Sequence, residues 1–96
     1  MKTIKAEASN VDDGVSVYRN GIKFLHVNYK SQGSKTIQAN VGDTIAFVVE
    51  NLTGGPWSAN LRLTVGGEVV YEDSPMDNTL VQMPNPQAYR YEYQVS

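Results

Sequence analysis

One histidine, His26, five acidic residues in two polar stretches and a lone tryptophan are the side chains of this 96-residue chain best suited to chemistry. As a general base, His26 would need an orienting carboxylate and a nucleophile within reach. No spacing in the sequence supplies either, and a histidine partly packed on a sheet face accounts for it more simply. Asp12 and Asp13 fall in one loop-like stretch, and Glu72, Asp73 and Asp77 in another. Calcium takes carboxylate and carbonyl oxygens, so the two groups could share an ion if their loops met. Their spacing matches no calcium-loop motif, and solvated loop carboxylates are the simpler expectation. A glycosidase pair would need two carboxylates about 5–9 Å apart across a cleft, for which a domain this small has little room. The sequence therefore predicts no catalytic residue, no metal and no cofactor.

Trp57 closes the stretch Gly54-Gly55-Pro56-Trp57. Its indole could present a face to a sugar ring or fill a partner's pocket, since an aromatic face with a polar edge suits both. Alternatively, it folds back as a lid over the core. With Trp57, the residues Asn60, Asp73 and Asn78 are candidate ligand or partner contacts. Tyr89, Tyr91 and Tyr93 alternate with Arg90, Glu92 and Gln94. The tyrosines form either an exposed aromatic platform or, as the polar opposite face suggests, the inner face of a strand. Asn51-Leu52-Thr53 fits a glycosylation sequon, a short match that arises often by chance.

These residues must be positioned by strands, because no window carries apolar residues at helical spacing between caps. The organising stretch is Val41–Asn51. Gly42 and Asp43 make a turn, and Ile45, Phe47 and Val49 follow at a spacing of two. Ala46 and Val48 make the second face apolar too, which reads as a central strand. Thr3–Ala8 alternates as a first strand, and Ser9–Gly14 reads as a loop. Val15–Arg19 and Ile22–Tyr29 flank Asn20-Gly21, the strongest short-range hairpin signal. In the second of these strands Phe24 lies on one side and Leu25 and Val27 on the other. Lys35–Val41 places Ile37, Ala39 and Val41 inward. Ala59–Val65 and Glu68–Glu72 form a second hairpin around Gly66-Gly67. Thr79–Met83 reads as a short edge strand, Pro84-Asn85-Pro86 as a stiff corner and Ala88–Val95 as the last strand. Turn signals recur about every 8–12 residues, the pattern of a sandwich or barrel. The long connections 51–58 and 73–78 suit crossings between sheets. The expectation is one all-β domain over residues 1–96, an antiparallel Greek-key β-sandwich of about eight short strands.

Two stretches resemble a known group. Val41-Gly42-Asp43-Thr44-Ile45-Ala46-Phe47-Val48-Val49-Glu50-Asn51 resembles the Gly-Asp-Thr strand start of cupredoxins, and Ala88–Tyr93 resembles their Gly-x-Tyr-x-aromatic-x-Cys run. The Tyr-x-Tyr strand is equally similar to immunoglobulin-like and fibronectin-like domains. The order of strands and hairpins also resembles small immunoglobulin-like domains of bacterial envelope proteins. These resemblances imply a two-sheet Greek-key sandwich. A blue-copper site needs a Cys thiolate, two His and commonly an axial Met. Tyr93 stands where the resemblance would put the Cys, and residues 57–59 where it would put the first His, so electron transfer is not implied.

Composition excludes further classes. The chain has no cysteine, hence no disulfide and no thiolate site. A formal charge of −2 with scattered basic residues gives no nucleic-acid footprint. No run approaches the roughly 18 apolar residues of a membrane-spanning helix. The first residues, Met1–Ala8, lack a long apolar core and carry Glu7, unlike an intact signal peptide. A secreted, periplasmic or cell-surface site is favoured over a cytoplasmic one, with any leader already removed. The functional expectation is a non-enzymatic binding module that presents loops 51–58 and 73–78 to a protein partner. The alternative is a small carbohydrate-binding, lectin-like domain built on Trp57. With Lys2, Lys5, Pro84 and Pro86 guarding the sheet edges, a monomer or weak dimer is expected.

Overall fold

The computed structural model describes all residues, Met1–Ser96, as nine strands and no helix. The strands are β1 (Lys2–Asp12), β2 (Gly14–Arg19), β3 (Ile22–Asn28), β4 (Gly33–Ala39), β5 (Thr44–Asn51), β6 (Trp57–Val65), β7 (Glu68–Asp73), β8 (Met76–Asp77) and β9 (Asn85–Gln94). They build two antiparallel sheets. One runs β4-β1-β6-β7, with β8 paired to the start of β6; the other runs β3-β2-β5-β9. The chain crosses between sheets five times, at β1–β2, β3–β4, β4–β5, β5–β6 and β8–β9.

Period-two alternation decides which side chains meet between the sheets. Ile4, Ala6 and Ala8 of β1 and Ala59, Leu61, Leu63 and Val65 of β6 supply one inner face. Val15 and Val17 of β2 and Ile45, Phe47 and Val49 of β5 supply the other, and all join one buried cluster. Each large side chain so buried contributes about 1.5–3 kcal/mol. β5 is central, pairing β2 on one side and β9 on the other. On its outer face Ala46 lies between Tyr18 and Glu92, and Val48 between Ser16 and Arg90. These two small apolar residues are buried although they face away from the core. Long neighbours on a sheet face cover short ones with their stems.

The Asn20-Gly21 hairpin forms as expected, with φ of 50° and 81° at its two central residues. Both values must be positive in a type I′ turn. The start of β5 is fastened to this hairpin. Asp43 Oδ2 accepts from Arg19 Nε and from the Asn40 amide, each at 2.8 Å, and Oδ1 accepts from Asn20 Nδ2 at 3.0 Å. The Asn20 side chain, the Asn40 amide and Arg19 hold the Asp43 carboxyl below its usual range. A depressed folded-state pKa gives stability that is present above the unfolded value and lost as pH falls through the folded one. We expect the urea midpoint to fall as pH drops below about 4, and to fall less steeply in Asp43→Asn. Parallel acid profiles for the two proteins would remove Asp43 from the account.

Several expectations need correction. Ser9–Gly14 is not a loop: β1 continues to Asp12 through an irregularity between Ser9 and Asp12, with Asn10 at φ 48°. Val41 lies beyond the end of β4 and is 71% exposed, not inward. Thr79–Met83 forms no strand. Lys2 and Lys5 guard no edge, because β1 lies between β4 and β6. In β3, Val17 pairs Leu25 while Tyr18 pairs Lys23, so Phe24 is an extra, bulged residue. The bulge resets the alternation, and Phe24 and Leu25 both pack on the core. The tyrosine row of β9 needs no correction: it is half-buried against the core, as the polar opposite face suggests, and is not an exposed platform.

Candidate functional site

Strand directions send the turns to two poles. Residues 12–14, 28–33, 51–57 and 73–85 gather at one of them, which contains both connections expected to be presented. The loop after β5 is held from two sides. Asp13, at φ 78°, accepts through Oδ2 from the Leu52 amide at 2.7 Å and the Thr53 amide at 3.2 Å. A short carboxylate side chain tolerates this backbone conformation better than most. Gly55 N donates to Gln82 O at 3.2 Å. A Cβ on Gly54 would lie 2.7 Å from the same carbonyl oxygen, and Gly54 has φ 80°. Glycine is therefore required for the two loops to touch.

The second loop has its own braces. Asp77 Oδ1 accepts from the Thr79 amide at 2.9 Å, and that bond holds the Asp77 carboxyl below its usual range. Gln82 Nε2 donates to Thr79 O at 2.9 Å. Between these braces the apolar side chains point outward. Leu80 is 80%, Val81 91%, Met83 82% and the adjoining Leu52 55% exposed. Met76 and Tyr29 are exposed at the same pole. The charged residues of these pole segments are Asp12, Asp13, Asp73 and Asp77 against Lys30 alone. The pole is thus an apolar tip with an acidic surround.

The expected contact residues separate. Trp57 is the first residue of β6, 7% exposed and part of the core cluster, so its indole does not face solvent. Asn78 is exposed beside the apolar tip. Asn60 and Asp73 instead line an open groove of about 850 Å3 across the outer face of β4, β1, β6 and β7, together with Glu7, Ser34, Arg62 and Glu72. Arg62 Nε and Glu72 Oε2 form an ion pair across it at 2.6 Å, and Glu72 raises the Arg62 pKa. No aromatic residue lines this groove. The acidic stretches do not pool their oxygens: Asp13 and Asp77 are committed to loop amides, and Asp73 Oδ1 accepts from the Ser74 amide at 2.8 Å.

A cluster missed in the sequence lies on the outer face of the second sheet. Ser16 Oγ is 2.9 Å from His26 Nδ1 and 3.4 Å from Glu50 Oε1, and His26 Nε2 is 3.0 Å from Asn28 Oδ1. Strand register brings them together, since Ser16 faces His26 on β3 and Val48, two residues from Glu50, on β5. A hydroxyl, an imidazole and a carboxylate are the parts of a nucleophilic site. Here the Ser16 side chain is fully buried between its two partners. Gly14 leaves the room for Glu50, because a Cβ there would lie 2.8 Å from Oε1. The arrangement satisfies a buried hydroxyl, and no substrate atom could reach Oγ without displacing His26 or Glu50.

No family model matches this chain, and searches of curated proteins and of solved structures gave no significant match.

Proposed function

We propose that the domain is a non-enzymatic interaction module that inserts its loop pole into an apolar pocket with a basic rim on a protein partner. One observation carries this reading: Leu80, Val81 and Met83, with Leu52 beside them, are solvent-facing on loops held in place by hydrogen bonds. Large apolar side chains grouped on a fixed surface favour association, because water is released from them at little cost in chain ordering. The charge of the pole selects the partner. Four aspartates against one lysine would be repelled by an anionic lipid surface, which attracts basic segments, and would be matched by a basic protein rim.

The test compares immobilised natural protein with a Val81→Asp/Met83→Asp variant and an Asn60→Ala/Arg62→Ala variant. Proteins retained from source cells and their medium are quantified, and each candidate is then produced pure and titrated. Losing a hot-spot contact at the centre of an interface costs about 2 kcal/mol or more. The loop variant should therefore bind about 30-fold more weakly, with the groove variant unchanged. If no purified protein separates the loop variant from the natural one, the reading fails. A second reading rests on Asn60 and Asp73, which meet in the polar groove: a glycan held by hydrogen bonds alone. Glycan binding lost in the groove variant and kept in the loop variant would put that reading first.

A further inference from the structure

Each sheet has two outer strands, and three of the four carry a device along the pairing stretch itself that discourages pairing with another chain. β3 is bulged at Phe24. β7 is bulged at Val70, since Leu63 pairs Tyr71 while Thr64 pairs Val69. β4 carries Lys35 opposite Ala6, which places a charge on the inner face at the rim. Bulges and inward-pointing charges both oppose edge pairing. In β9 the start is guarded by Pro86 and by an irregularity between Asn85 and Tyr89, but residues 89–94 carry neither a bulge nor an inward charge, and their register with β5 is unbroken from Val49↔Tyr89 to Thr44↔Gln94. Its inner face there is Tyr89, Tyr91 and Tyr93.

The register also tells which backbone groups of β9 are free. Val95 N donates to Asp43 O at 2.8 Å, and Val95 O accepts from Gly42 N at 2.7 Å. In an antiparallel ladder such residues alternate, so Tyr93, Tyr91 and Tyr89 also turn their amides and carbonyls to β5. The Asn20 N to Thr44 O bond at 2.9 Å agrees, because it turns Thr44 to the opposite side, towards β2. The amides and carbonyls of Arg90, Glu92 and Gln94, and the carbonyl of Ala88, therefore point away from the sheet.

The geometry points to a symmetric dimer in which β9 pairs antiparallel with β9 of a second copy, joining the two four-stranded sheets into one. A two-fold axis at Tyr91 pairs the free backbone groups of both chains, by setting Arg90 opposite Glu92 of the second copy and bringing Gln94 to its Ala88 carbonyl. It also sets opposite charges against each other twice, once on each side of the axis. Within one chain Arg90 and Glu92 already bond at 2.8 Å, so both side chains lie on the same outer face. Tyr71 stacks on Tyr91 and approaches Phe47, which keeps it over β5 and β9 on the inner side. A second copy is favoured over an unrelated strand because β9 carries its own charge complement in the required order.

Sedimentation equilibrium and light scattering on the intact chain, up to about 1 mM, test this. The natural protein should reach twice its monomer mass of 10.6 kDa. Glu92→Arg sets like charges opposite each other and should weaken the dimer at least about tenfold, and Arg90→Glu added to it should restore the natural constant within about threefold. Glu92→Pro removes an outward amide that β5 does not use, so it should stay folded by circular dichroism and remain monomeric. A natural protein that stays monomeric throughout overturns the proposal. So does a dimer that survives Glu92→Pro, or one that is lost on Val81→Asp instead.

Discussion

Trp57→Ala should lower folding stability by about 3–5 kcal/mol, the range for removing a buried large aromatic, with the loss measured as a shift in the urea midpoint. Trp57 begins β6 where three segments converge: Asp12 pairs the neighbouring Ser58 on one side, and Asp77 pairs Trp57 itself on the other. Its indole closes the core at the loop pole, next to Val11 and Ala59 in the same cluster. Truncation would leave a void under the loops that carry Leu52 and Leu80. The same substitution should leave glycan binding unaltered, because the ring is not at the surface. A variant of natural stability that lost a ligand would reverse this assignment and make Trp57 a contact residue.

Phe47→Ala should cost about as much, 3–5 kcal/mol, and against a typical total of about 5–15 kcal/mol it should leave a measurable unfolded fraction at 37 °C. Phe47 is fully buried at the middle of β5, pairing Val17 and Tyr91 laterally. Its ring centroid lies 6.0 Å from that of Tyr71 on the other sheet, and Tyr71 in turn stacks on Tyr91 at 3.6 Å. Burial holds the phenols of Tyr71 and Tyr91 above their ordinary pKa, and Tyr71 is also hydrogen-bonded to the Tyr89 hydroxyl. Removing Phe47 withdraws support from this cross-sheet stack. Phe47→Leu, which keeps most of the volume, should cost under about 2 kcal/mol. Equal losses for the two substitutions would show that ring packing is not what Phe47 supplies.

Much of this architecture is legible wherever alternation runs unbroken. Ile4, Ala6 and Ala8, then Leu61, Leu63 and Val65, face inward as their spacing says, and Asn20-Gly21 turns as its residue types require. What escapes the sequence has physical causes. One inserted residue at Phe24 or Val70 shifts the side-chain period, and no residue type marks a bulge. Thr79–Met83 has the composition of a strand but no neighbouring strand to pair with, and the Asp77 carboxylate turns the chain there instead. That stretch supplies most of the candidate binding surface, so its apolar residues were visible while their exposure was not. Ser16, His26 and Glu50 meet only because β2 lies between β3 and β5, an order that local patterns do not encode. Tyr71 gave no signal of its role as the cross-sheet partner of β9.

The position of β9 has a consequence in time. Ile45, Phe47 and Val49 turn their backbone groups to the strand that is last in the chain, as the pairs Ile45↔Tyr93, Phe47↔Tyr91 and Val49↔Tyr89 show. A ribosome adds about 5–20 residues per second, so for several seconds the nascent chain holds a finished, strongly apolar β5 whose partner on the β9 side has not been made. The second sheet is therefore completed only once β9 has been made, and until then β5 offers its open side to whatever strand or chaperone is nearest.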